Sequence, residues 1–223
     1  SNTFFYQIGV GVGAKELYKA ATKLGFDRLT GIEIDTEESK GLVGNEEWAS
    51  KGRGWGKPGS TPWIPEDIAS ASIGQSVVQV TPLQLARAYA VFANGGYLIT
   101  PHLVDGNINW NSKKYKSKVD LKSSSLEMIR KGLRKVVVSG TGMTINSGLP
   151  DLPPVAGKSG TAEDSTGGLD HAWFICFAPY EFSEIVVVAF AQNTPGGGSV
   201  HALPMAREML ATWNKSQFDF TKD

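Results

Sequence analysis

The chain has 223 residues, with 22 basic and 22 acidic side chains, 41% hydrophobic residues and one cysteine, Cys176. That length and composition build a sizeable core and exclude a disordered chain. Zero formal charge excludes nucleic-acid binding through a general positive field, the lone cysteine excludes an internal disulfide, and with only three scattered histidines a structural zinc site is excluded too.

The chain opens on Ser-Asn-Thr-Phe-Phe-Tyr, and Phe4, Phe5 and Ile8 at helical spacing predict one buried helical face. A free terminus is ordinarily polar and frayed, so the sequence reads as beginning inside a domain. Gly9, Gly11 and Gly13 alternate as in a phosphate-cradling loop, but no strand pattern precedes them and no Lys-Ser/Thr pair follows, which leaves close helix packing as their reading. Leu17, Ala20, Ala21 and Leu24 predict a helix over residues 14–24, stopped by Gly25. Residues 31–67 are rich in Gly and Pro and predict a long irregular excursion. Its Trp48, Trp55 and Trp63 either pin it to the body or, beside basic neighbours, stack on sugars or an acidic ligand.

Thr81-Pro82-Leu83-Gln84 starts a buried helix with a capping box, and Asn94-Gly95-Gly96 stops it. Residues 113–122 form a charge cluster that predicts a solvated loop. A second helix is predicted over residues 126–138, with Ser124 and Glu127 as capping pair and Ile129, Leu133 and Val136 inward, followed by Gly140-Thr141-Gly142. The period then changes. Residues 155–162, 173–177 and 185–191 predict three consecutive antiparallel strands, too short for any of them to span a bilayer. Ala202, Met205, Ala206, Met209, Leu210 and Trp213 form one face of a terminal helix packed on that sheet, an α+β arrangement.

Lys158-Ser159-Gly160-Thr161 is the most informative tetrapeptide, because a lysine inside an otherwise apolar strand needs a reason. One reading is an edge strand guarded against aggregation. The other is an edge beside a cleft, offering a cation, two hydroxyls and a glycine that admits an extended backbone, as suits a peptide ending in a carboxylate. His171 is read as a hydrogen-bonded structural residue with catalysis as the lesser alternative, His102 and His201 as structural or surface residues, and Cys176 as a buried inert thiol.

Lys158-Ser159-Gly160 resembles the K-T/S-G element of the penicillin-binding proteins. Four further stretches, in family order, resemble their class B, elongation-type branch. Asn2-Thr3-Phe4-Phe5 is similar to the end of the S-x-N element. Gly74-Gln75 through Thr81-Pro82-Leu83-Gln84 to Ala93-Asn94-Gly95-Gly96 resembles the long central helix region. Gly140-Thr141-Gly142 resembles the turn before the motif strand, and His171-Ala172-Trp173-Phe174 with Ala178-Pro179-Tyr180 the adjoining strand.

The resemblance implies the penicillin-binding-protein/serine β-lactamase-like transpeptidase fold, an antiparallel sheet with helices packed on it, incomplete at the N-terminus. Residues 1–223 would be the C-terminal part of a transpeptidase domain, with a helical and loop region over about 1–150 and the sheet and terminal helix over about 151–215. No serine is followed by lysine three positions later, so the family's nucleophile is not in this sequence. By motif, Lys158, Asn2 and Thr161 would be catalytic, and Ser159, Gly160 and Thr161 would bind substrate, with no cofactor and no metal. The implied activity is peptidoglycan D,D-transpeptidation through a serine acyl-enzyme that β-lactams block. The alternatives are a non-catalytic wall-binding or scaffold homologue, or a D,D-carboxypeptidase or β-lactamase on the same fold. Partners would be stem peptides, β-lactams and proteins of a cell-wall synthesis complex at the outer face of the bacterial cytoplasmic membrane, without nucleic acid. Membrane contact would come only through a segment not in this chain.

Overall fold

A computed structural model describes residues 1–34, 37–50, 63–104, 109, 112–164 and 167–219. Two units form, Ser1–Gln84 and Leu85–Asp223.

In the first unit, α1 (Asn2–Val12) and α2 (Ala14–Lys23) are followed by β1 (Leu42–Val43), α3 (Glu46–Ser50), α4 (Pro65–Ser72) and β2 (Val78–Gln79), with β1 and β2 paired antiparallel. Helix α2 stops where the sequence places its glycine: Gly25 has φ of 93°, its N–H reaches the Thr22 carbonyl, and the Phe26 N–H reaches Ala21. Those two bonds satisfy carbonyls that a helix end otherwise leaves unpaired. The alternating glycines behave as packing residues. A Cβ on Gly9 would lie 2.3 Å from Ser72 Cβ, so α1 crosses α4 at a point only glycine permits, and the Ser72 hydroxyl donates to the Phe5 carbonyl at 3.0 Å. The aromatic face of α1 lies uncovered: Phe4, Phe5 and Ile8 are 57%, 51% and 45% exposed, and Gly9 is the buried residue of α1.

The excursion over residues 31–67 holds more regular structure than its composition predicts, namely β1, α3 and the start of α4. Trp48 and Trp63 pack on each other with ring centroids 5.4 Å apart, while Trp55 lies outside the described residues. The capping box at residues 81–84 closes this unit. The Thr81 N–H donates to Gln84 Oε1 at 3.0 Å and the Gln84 N–H to Thr81 Oγ1 at 3.1 Å. The fully buried Gln84 amide also donates to the carbonyls of Arg28 and Lys40, both at 2.8 Å.

The helix so capped, α5 (Pro82–Ala93), leads to β3 (Tyr97–Ile99), β4 (Lys116–Lys118), α6 (Ser123–Ser139), a 3₁₀ turn at Met143–Asn146, β5 (Ala156–Ala162), β6 (His171–Ala178), β7 (Ile185–Ala191) and α7 (Ala202–Asp219). The charge cluster expected to be a loop contains β4, paired antiparallel with β3, and Lys116 and Lys118 lie over the Tyr97 ring at 4.8 and 4.4 Å. An ammonium is attracted to the face of an aromatic ring, a contact that the charged composition concealed. Helix α6 starts earlier than its capping pattern predicts, with Lys122 at the N-cap and no side-chain cap.

Strands β5, β6 and β7 form an antiparallel sheet in that order, with α7 packed on β6 and β7. Alternation divides β6 cleanly. Ala172, Phe174, Cys176 and Ala178 face a core shared with Val187 and Ala189 of β7, Ala202, Leu203, Ala206 and Leu210 of α7, and Ile145 and Leu152. Trp173, Ile175 and Phe177 take the opposite face, where Trp173 packs on Phe190 at 4.2 Å. Met205 and Met209, placed on the inward face of α7 by their spacing, are instead 45% and 50% exposed. The small and branched residues between them fill the space above the sheet.

Candidate active site

The sheet gives the Lys-Ser-Gly-Thr run its setting. Among the described residues β5 pairs only with β6, so its other edge is open, and the register sets Lys158 against Ile175, Ser159 against Phe174, Gly160 against Trp173 and Thr161 against Ala172. Ser159 and Thr161 therefore share the α7 face with Phe174 and Ala172, and Lys158 starts from the opposite face. Lys158 is exposed, and its Nζ turns back along the strand to donate to the Ser159 carbonyl. Desolvation by the surrounding packing holds this ammonium below the ordinary lysine value.

Two glycine-bearing segments fix the hydroxyl side of the run. Helix α6 ends in Gly140-Thr141-Gly142, where the Val136 carbonyl accepts both the Gly140 N–H at 3.1 Å and the Gly142 N–H at 3.0 Å. A Cβ on Gly140 would come within 2.9 Å of that oxygen, so the turn closes only without a side chain there. Thr141, projected by this turn, has its Oγ1 2.6 Å from Ser159 Oγ.

The second segment joins β7 to α7. A Cβ on Gly197 would fall 2.3 Å from Thr161 Oγ1, and one on Gly198 would fall 2.0 Å from the Trp173 oxygen and 2.5 Å from the Gly160 oxygen. This connection lies flat on the backbone of β5 and β6 at the motif. The Gly198 carbonyl then accepts the Leu203 N–H at 2.8 Å and so joins it to the first turn of α7. Within the chain, the backbone that approaches Gly160 is this connection.

Asn2 is the first residue of α1 and belongs to the first unit, whereas Lys158, Ser159, Gly160 and Thr161 stand together with Thr141 in the second. His171 accepts the Asn193 N–H on Nδ1 at 3.2 Å and stacks edge-on against Phe190, a structural position. His201 Nε2 lies 2.9 Å from the Pro195 carbonyl. Cys176 is fully buried, and burial pushes its thiol up to about 12, which keeps it from ionising near neutral pH. No group of His, Cys, Asp or Glu among the described residues could hold a metal ion, and no helix among them is long and apolar enough to cross a membrane.

Sequence reasoning gave neither Thr141 nor the Gly197-Gly198 pair a part in the site. The signal for both was a glycine cluster flanking a regular element, since glycines grouped at one place mark a close backbone approach as readily as a turn. Chemically the edge offers an ammonium, two hydroxyls 2.6 Å apart on Thr141 and Ser159, a further hydroxyl on Thr161, and an open strand edge. That set has the chemistry to hold a carboxylate at the end of an extended chain.

A family model described as the penicillin binding protein transpeptidase domain matches residues 1–211. The peptidoglycan D,D-transpeptidase MrdA of Haemophilus influenzae is 33% identical over 94% of this chain, and the chain spans about a third (34%) of that relative's length. Among solved structures, the penicillin-binding protein PBP2 of Helicobacter pylori, in its complex with MreC, superposes with a TM-score of 0.78 at 25% identity over 92% of this chain and 37% of its own. PBP2 of Pseudomonas aeruginosa superposes with a TM-score of 0.74 at 26% identity over 95% of this chain and 46% of its own.

Proposed function

The chain belongs to the penicillin-binding protein transpeptidase family, and from that premise we propose that it supplies the donor-recognising part of a peptidoglycan D,D-transpeptidase. The observation that carries the reading is the exposed Lys158 on an open strand edge, with Ser159 and Thr161 beside it on the same strand. In the reaction a serine hydroxyl, from a Ser-x-x-Lys element outside these residues, attacks the penultimate D-alanine carbonyl of a stem peptide. The C–N bond to the terminal D-alanine breaks, that residue leaves with a proton on its amine, and the acyl-enzyme is resolved by an amine of a neighbouring stem peptide. A β-lactam enters as a donor mimic, and its ring opens onto the same serine.

This chain's residues act around that step. Ser159 and Thr161 hold the donor's terminal carboxylate through their hydroxyls, and the Thr161 N–H supplies one of two donors for the oxyanion. Gly160 keeps the strand low enough for the donor to lie beside it. Lys158 supplies positive potential, and its lowered proton affinity suits it to proton exchange with the nucleophile's surroundings. Asn2 binds the donor's amide. The working place is the outer face of the cytoplasmic membrane, within a wall-synthesis assembly, a partnership supported by the Helicobacter pylori relative solved with MreC.

The test uses the polypeptide of the complete reading frame and a labelled penicillin. Lys158→Ala is expected to slow acylation by about 10²-fold or more, the scale of a positioned acid–base or electrostatic group. Unchanged kinetics at unchanged thermal stability would make Lys158 an edge-strand guard and sink the assignment. A complete frame without Ser-x-x-Lys would leave a wall-binding scaffold instead.

A further inference from the structure

We propose that Thr141 is a positioning residue for donor recognition, orienting the Ser159 hydroxyl so that its proton points at the substrate's terminal carboxylate. This rests on the transpeptidase reading above and adds a residue to it. The argument is one of donor counting. Each hydroxyl has a single O–H to give and can accept twice. Thr141 Oγ1 and Ser159 Oγ are 2.6 Å apart, the length of a good O–H···O bond, and either can be the donor. If Ser159 donates to Thr141, its proton is spent and a carboxylate meets only lone pairs. If Thr141 donates to Ser159, the Ser159 proton is free for the anion. An arriving carboxylate selects the second arrangement, and the Thr141 bond then polarises Ser159 into a stronger donor.

Thr141 is well supported for this part. Its turn is tied on both sides to the Val136 carbonyl and cannot accept a side chain at Gly140, and α6 is anchored just before it by Val137, 4% exposed. Threonine is branched at Cβ and therefore stiff at χ1, so its hydroxyl keeps its direction. The turn and β5 together present the hydroxyl pair as one two-member relay.

The experiment compares labelled-penicillin acylation of the complete-frame protein with Thr141→Val, Thr141→Ser, Ser159→Ala and the Thr141→Val/Ser159→Ala double variant, each checked for thermal stability. Thr141→Val is expected to lower the second-order rate by about three- to ten-fold, the worth of one hydrogen bond between neutral groups, and Thr141→Ser to restore it. The double variant should be no slower than Ser159→Ala alone. With a penicillin methyl ester, which lacks the carboxylate, Thr141→Val should have no effect. A rate unchanged in Thr141→Val, an equal loss on the ester, or losses that multiply in the double variant would each overturn the relay while leaving the transpeptidase reading intact. A wild-type protein that is never acylated would overturn that reading and the relay with it.

Discussion

Helices α1 and α7 both carry apolar side chains at helical spacing, yet α7 buries Ala202, Leu203, Ala206 and Leu210 to 1% exposure or less while α1 leaves Phe4 and Phe5 more than half exposed. The difference lies in what each helix meets. The sheet under α7 offers small residues, Ala172, Ala178 and Ala189, between the larger Phe174 and Val187, so helix and sheet interdigitate. Helix α1 meets α4 at a point of very close backbone approach, and a close crossing at Gly9 leaves its bulky side chains turned elsewhere. An apolar stripe thus specifies a helix, and a complementary surface in the same unit decides whether the stripe is buried.

The sharpest way to break this contrast is truncation on both sides of it. Leu210→Ala should lower unfolding free energy by about 2–5 kcal/mol, the range for a fully buried leucine, whereas Ile8→Ala should stay within about 0.5 kcal/mol, as for exposed positions. Denaturant unfolding of the two variants measures this, and equal losses would erase the distinction. A smaller effect is expected where glycines make the contact. Gly198→Ala forces a methyl against two carbonyl oxygens and should lose about 1–3 kcal/mol, with amide shifts moving at Gly160 and Thr161. Gly9→Ala also forces a clash, 2.3 Å from Ser72 Cβ with the Ile68 carbonyl at 3.4 Å, but regains about 0.5–1 kcal/mol of helix preference, so its net loss should be the lesser, and a greater loss than Gly198→Ala would reverse the ranking.

The smallest expected effect is a pH dependence at Lys158. Its folded-state value lies below the ordinary 10.5, so between the two the unfolded chain binds more protons. Stability therefore rises as pH climbs through that alkaline window, and the penalty for a charged Lys158 is fully present below it. Lys158→Met should flatten the rise in unfolding free energy measured across the window. An identical rise in the variant would assign it to other groups.

Much of this architecture was legible in the sequence because it is local. The capping box at Thr81 and Gln84, the Gly25 stop and the three strands each follow from a few neighbouring residues, as does the α7 stripe at Ala202, Ala206 and Leu210. The Lys158 run was legible as an anomaly in a strand. What escaped depends on pairs distant in sequence: Thr141 with Ser159, and Gly198 with Gly160. Lys116 and Lys118 misled for another reason, since their charge suggested solvent while their ammonium groups lie over the Tyr97 ring.

Gln84 has a consequence for how the first unit can vary. One buried amide grips the carbonyls of Arg28 and Lys40 together, so the segment between them is closed by a fixed staple in addition to its own contacts, such as the Thr30 N–H to Glu38 Oε1 at 2.7 Å. Lengthening such a closed segment is thermodynamically mild, about 0.6 kcal/mol for each doubling. Its ends are set from behind by a residue 44 positions after the later anchor. Insertions, epitopes or reporter groups placed between those anchors would leave the start of α5 undisturbed, which makes this stretch a natural port for engineering and for evolutionary drift in length.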